Sequence, residues 1–233
     1  MRSPADRWFP SVGRLEFASD RGEIRVGIDW GTVSAVLTAG GTLVLAVASF
    51  GSIRSAERAA RSAERALQVS LRPILVGARP TDPQQKLIWT DGHSTHLTGS
   101  AGYAHLGEDV IYLGAALRNL GPGLGIVHGW SLREGDTPVD PADFRRQGLD
   151  MYVAPSDHGT WHAALRDPAD PAFAVLADQV KNRQRINVDL LYGDHEGGQR
   201  TIARISLLPR QADDGWVCQT VRHWNLDRPD PRL

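Results

Sequence analysis

From Trp30 to Ile53 the chain runs for 24 residues without a charge, bounded by Asp29 and Arg54. At 1.5 Å rise per residue such a run makes ~36 Å of helix, enough for a hydrocarbon core of about 30 Å. Residues 33–51 average about 1.8 in mean hydropathy, above the usual level for a span. Gly40 and Gly41 lie in the middle, where glycine lets helices approach closely, and Trp30 stands where an interfacial aromatic belongs. The pattern predicts a transmembrane helix over 30–53. A cleavable signal is suggested by the small-x-small string Ala46-Val47-Ala48, but a long segment precedes the run and a basic one follows it. A buried core helix of a soluble protein is the third reading.

Directly afterwards, Ser55-Ala56-Glu57-Arg58-Ala59-Ala60-Arg61 is echoed by Ser62-Ala63-Glu64-Arg65-Ala66-Leu67-Gln68. This seven-residue period is rich in helix formers, so the helix is expected to continue as a stalk over 54–70 until Pro73 forbids it. One stripe, Ala35, Ala39, Thr42, Ala46, Ser49, Ile53, Ala56, Ala60, Ala63 and Leu67, advances in alternating steps of four and three. That spacing keeps one face toward a partner, and its small side chains permit close packing, so a homodimer through the 35–67 seam is expected. Arg54, Arg58, Arg61 and Arg65 share another face, where each basic residue gains about 1 kcal/mol near anionic headgroups. They are the candidate membrane-surface contacts, with the lipid bilayer as partner. Four arginines in 54–68 against Arg21 and Arg25 in 15–29 orient the C-terminal side toward the cytoplasm.

Beyond Leu71 the pattern changes to short apolar runs separated by turn residues, the mark of a mainly β fold. Strands are expected at 72–78, 86–90, 102–106, 110–118, 125–132, 150–154, 159–165, 185–192, 200–208 and 216–224, forming a two-sheet β-sandwich over 71–226. Ile186, Val188, Leu190 and Tyr192 alternate, and 193–199 reads as the polar tip of a hairpin. One inserted helix is expected near 171–182, capped by Asp170, opened by Pro171, and carrying Phe173, Leu176, Ala177 and Val180 on its apolar side. It should lie as a lid over an open end of the sandwich. Residues 1–29 hold a marginal hairpin and are expected to be poorly ordered, and 227–233 to be a tail.

Charge and composition then narrow the function classes. With 26 basic and 27 acidic side chains among 233 residues, there is no surplus to neutralise phosphates, and no nucleic-acid partner is expected. One cysteine, Cys218, excludes an internal disulfide, and inside an apolar strand it reads as a small buried hydrophobe. The string Arg118-Asn119-Leu120-Gly121-Pro122-Gly123 lacks the Gly-Lys-Ser/Thr ending of a phosphate loop, and Pro122 removes an amide that a cradle would need. It reads as a bulged turn between strands. Trp89, Trp130, Trp161, Trp216 and Trp224 read as core or interface mass. Eight histidines raise a metal question. His93 with His96, and His158 with His162, are close pairs, and Asp194-His195-Glu196 sits on the hairpin tip, but no three ligands converge in sequence.

The order of these features resembles a group of uncharacterised bacterial single-pass membrane proteins. The likeness rests on the span and the basic Ala-rich helix, then Arg72-Pro73-Ile74-Leu75-Val76, Arg118–Gly123, Leu191–Arg200 and His223-Trp224-Asn225-Leu226. It implies a membrane anchor and a β domain, with no known activity and no catalytic residues. The expected function is a membrane-anchored cytoplasmic binding or scaffold module for an unknown protein partner, without a cofactor. The alternative is a metal-dependent hydrolase built on Asp194, His195 and Glu196.

Overall fold

The computed structural model describes residues 29–132 and 140–227. The expectations for residues 1–28 and for 228–233 lie outside the described residues. Two compact units separate at Glu57 and Arg58.

Helix α1 spans Trp30–Ser70, with no buried residue along it. Asp29 caps it, accepting bonds from the Gly31 amide (3.0 Å) and the Thr32 hydroxyl (2.7 Å). Its window of highest mean hydropathy, 1.9, makes it long and apolar enough to cross a membrane. Its hydroxyls suit an apolar solvent. Ser34, Thr38, Thr42, Ser49 and Ser52 each donate to a carbonyl three or four residues earlier in the same helix, so none needs water. At the far end the chain turns at Leu71, just ahead of Pro73.

The second unit is mainly β. Its strands are β1 (Leu75–Gly77), β2 (Gln85–Ile88), β3 (Ser94–Leu97), β4 (Ala101–Leu106), β5 (Ile111–Asn119), β6 (Gly125–Leu132), β7 (Arg145–Val153), β8 (His158–Leu165), β9 (Ile186–Gly193), β10 (Thr201–Pro209) and β11 (Trp216–Asn225). All but β2 and β3 belong to one antiparallel sheet that curls over itself, so the two layers of the expected sandwich are halves of a continuous surface. The joint is slender: only Trp216↔Gly102 and Val217↔Ala101 link β11 to β4. β5 pairs with β8 along one edge, and with β4 and then β1 along the other. The expected hairpin over 193–199 is the β9–β10 connection, with Tyr192 opposite Thr201.

Inside the curl lie Leu113, Trp161, Val188, Ile205 and their neighbours, all excluded from solvent. Helix α2 (Pro171–Lys181) sits where the Asp170-Pro171 signal puts it. The Asp170 carboxylate accepts from the Ala172 amide, and Leu176 drives into the core beside Phe173, Ala177 and Val180. A second cluster forms outside the sheet, where the β2–β3 hairpin lays Leu87, Trp89 and Leu97 over Tyr112 and Ala116. That cover explains why β5 is buried on both faces. β3 was not expected, because Ser94-Thr95-His96-Leu97 offers too little apolar alternation. The five tryptophans from Trp89 to Trp224 read as core mass are all buried, as is Cys218.

Candidate functional site

The arginines expected at the membrane surface, Arg54, Arg58, Arg61 and Arg65, are all exposed on α1, with the Arg54 guanidinium 5.5 Å from the Phe50 ring centre. The hairpin tip is arranged differently from a ligand set. Asp194 is buried, and its carboxylate accepts from the Gly198 amide (2.9 Å) and lies 3.4 Å from the Gln199 side-chain amide. His195 and Glu196 are exposed and pair with each other at 3.2 Å. Among the described residues no group of three or more His, Cys, Asp or Glu side chains could hold a metal ion. His93 is drawn away from His96 into an aromatic stack, 4.1 Å from Tyr112 between ring centres, with its Nε2 2.9 Å from the Tyr103 hydroxyl. The neighbouring Asp91 accepts from the Tyr112 hydroxyl (2.7 Å) and from Arg166 (2.9 Å). Chiefly through the Tyr112 bond, its carboxyl is held well below the usual carboxylate range.

Distinctive strings that lie far apart in the sequence meet where α1 gives way to β1. Asn119, fully buried, is the hub. Its Oδ1 accepts from the Ile74 amide (3.0 Å) and the Gly121 amide (2.9 Å), while its Nδ2 donates to the Gly123 carbonyl (2.6 Å) and the Val153 carbonyl (3.0 Å). The loop from β5 to β6 crosses so close to the connector that a Cβ on Gly123 would stand 1.7 Å from the Leu71 carbonyl oxygen, and one on Gly121 2.2 Å from that of Arg72. Only glycine fits at either place. Around the hub, Gln199 donates to the Gln68 carbonyl at the end of α1, Arg72 to Asn225, and the Leu75 amide to the Tyr192 hydroxyl at 3.4 Å. Burial pushes that hydroxyl up to about 12. His223 Nε2 lies 2.8 Å from the Leu75 carbonyl oxygen. The string read as a turn is indeed the β5–β6 turn, and its Asn119 holds the connector at Ile74. The register shift comes later, between Val127 and Gly129.

A second arrangement lies at the two ends of the curled sheet. β7 pairs with β6 and β8 with β5, but no ladder joins β7 to β8. Between them opens a cleft of about 350 Å³, with Trp89, Trp130, Leu149 and Leu165 among the residues that line it. Among the described residues three arginines line it, Arg145, Arg146 and Arg166, and no acidic side chain does. Residues 147–150 of β7 have no ladder partner on β6 either. The Gln147 amide instead crosses the gap and donates to the His162 carbonyl at 2.9 Å. Gln147 Oε1 and His162 Nδ1 are buried without a hydrogen-bond partner, and burial pulls the His162 imidazole below its ordinary value.

Comparison with protein-family models, with curated proteins and with solved structures gives no match for this chain.

The cleft can supply backbone donors and acceptors along open strand edges, aromatic walls, and guanidinium groups of which two are already held. Arg145 makes a two-pronged bond to Asp170 (2.6 and 3.0 Å), and Arg166 reaches Asp91. Arg146 is exposed and has no acidic partner among the described residues. Sequence reasoning missed this place because its expected strand began at 150, and the polar run Arg145-Arg146-Gln147-Gly148 carries no strand signal.

Proposed function

We propose that the chain is a membrane-anchored binding or scaffold module whose β domain lies in the cytoplasm. The observation that carries this reading is the combination of an unburied apolar helix with a β domain in which a cleft stands at an unpaired seam. Binding sites are usually clefts of this order of size, and this one combines aromatic side chains with guanidinium and amide groups. The orientation rests on the excess of arginine after the span, and Arg54, Arg58, Arg61 and Arg65 supply the contact with anionic headgroups. The small-residue stripe from Ala35 to Leu67 supports a homodimer, which would hold two cleft-bearing domains side by side and raise the effective concentration of any weak contact between them.

The test is fractionation of cells expressing the full chain, followed by a high-salt wash and by protease treatment of intact cells. Retention in the membrane fraction, with the C-terminal domain protected until the cells are opened, is the expected result. Complete release by salt removes the anchor, and digestion of the C-terminal domain in intact cells reverses the orientation.

A further inference from the structure

The seam between β7 and β8 deepens the binding reading and rests on it, because its chemistry narrows what could bind. In an antiparallel strand, alternate residues turn both their N–H and their C=O to the same side. The bond from Gln147 to the His162 carbonyl marks the side of β8 that faces the gap, so Thr160, His162 and Ala164 present their backbone groups there, while the intervening residues face β5. An open edge with these groups is a template for another strand. Gln147 already imitates one: its side-chain amide occupies the acceptor that the N–H of an added strand would use. The stretch from Thr160 to Ala164 spans about five residues at ~3.3 Å each, the length of a short extended peptide.

Charge selects among such peptides. The charged side chains that line the cleft are three arginines, of which Arg145 and Arg166 are neutralised by Asp170 and Asp91, while Arg146 remains exposed without an acidic partner among the described residues. We propose that the seam is a β-augmentation site for an extended segment of a partner protein, carrying an acidic side chain opposite Arg146. The segment would displace the Gln147 amide, take up the edge groups of Thr160, His162 and Ala164, and lay an apolar side chain between Trp89 and Trp130. Main-chain bonds would supply affinity and the arginine would supply selectivity, as in other strand-addition complexes.

The probe is a phage-displayed library of random eight-residue peptides, selected on the full chain in detergent micelles. The selected peptide is then synthesised in two forms, one normal and one N-methylated at alternate backbone amides. The expected result is a selected sequence with an acidic residue, slowed amide hydrogen exchange over 160–164 when it binds, at least tenfold weaker binding to Arg146→Glu, and loss of binding on N-methylation. Arg146 is exposed, so the variant should unfold at the same urea concentration as the parent. Failure of the library to yield a peptide that protects 160–164 overturns the proposal, as does equal binding of the N-methylated form, which would mark a side-chain pocket. Cross-links across the seam between two copies would also overturn it, by making a second chain the occupant. Membrane retention of Arg146→Glu is scored separately, so losing the peptide site leaves the anchor reading to stand or fall on fractionation.

Discussion

Replacing Asn119 by alanine tests whether the junction between α1 and β1 is held as described. The substitution removes four hydrogen bonds at once, two accepted and two donated, from a residue with no solvent exposure. Each is worth about 1 kcal/mol net, and the Ile74 and Gly121 amides and the Gly123 and Val153 carbonyls lose that partner inside the protein. Water can reach a few of them once the loop loosens, so the expected loss is about 4 kcal/mol, a large share of the 5–15 kcal/mol typical of a domain. For a unit of this size that corresponds to a fall in melting temperature of roughly 8–16 °C. Asn119→Asp should cost at least as much, because it keeps the two acceptor contacts but sets a carboxylate against the Gly123 and Val153 carbonyls. The assay is urea unfolding of the full chain in mild detergent, followed by tryptophan fluorescence, with Asn182→Ala as a surface control expected to cost under about 0.5 kcal/mol. A loss below about 1.5 kcal/mol for Asn119→Ala, at unchanged urea dependence, would refute the reasoning.

Asp91 has its carboxyl held down by Tyr112, by the His93 amide and by Arg166. Because its folded value lies below its unfolded one, its contribution is complete above about pH 4 and is lost as the pH falls further; an acid titration should show a shallower decline for Asp91→Asn than for the parent, and equal slopes would count against it. Burial pushes the Cys218 thiol up to about 12, so a thiol reagent at neutral pH should leave it unmodified until the chain is unfolded, and rapid labelling of the native protein would contradict that burial. Ala39→Leu together with Ala46→Leu should weaken self-association measured by energy transfer in membranes; transfer that is unchanged, or absent in the parent, would make the stripe a coincidence.

How much of this was legible in the sequence depended on how local each cause was. Helix α1 ends where Pro73 requires, and α2 begins where Asp170 and Pro171 place it, because caps and proline act within a few residues. β6 spans Gly125–Leu132 as its run of apolar residues suggests. The order of strands could not be read, since it turns on two residue pairs between β4 and β11 that lie more than a hundred positions apart. Alternation in β9 correctly placed Ile186, Val188 and Leu190 inside, yet the intervening Asp189 also proves buried, because Arg204 grips it with two bonds of 2.6 and 2.8 Å and itself lies against Trp224. A polar residue between apolar ones reads as a solvent position unless its partner is known, and here the partner sits across a hairpin. Asn119 was hidden in the same way. Its string looked like a turn, and its partners Ile74 and Val153 come from opposite sides of it in the chain.

The histidines show why the binding reading draws on the seam more than on any side-chain cluster. Imidazole serves as ligand or base only where a ring nitrogen has a free direction and suitable neighbours. His93 spends its ring on Tyr112 and its Nε2 on Tyr103, His223 spends Nε2 on the Leu75 carbonyl, and His158 lies 3.2 Å from Asp82. His195 faces solvent beside Glu196, with Asp194 turned inward to close the hairpin. His162 differs in its place. Its ring packs edge-on against Trp89, its Nδ1 is without a hydrogen-bond partner as His158 Nε2 is, and its carbonyl is the acceptor that Gln147 reaches across the open seam. Polar atoms buried without partners cost stability wherever they occur; Gln147 Oε1 and His162 Nδ1 are two of five such side-chain atoms among the described residues, beside Arg118 Nε, His158 Nε2 and Trp161 Nε1, and they are the two that line the open seam. An added strand is the ligand whose own groups have the geometry to complete them.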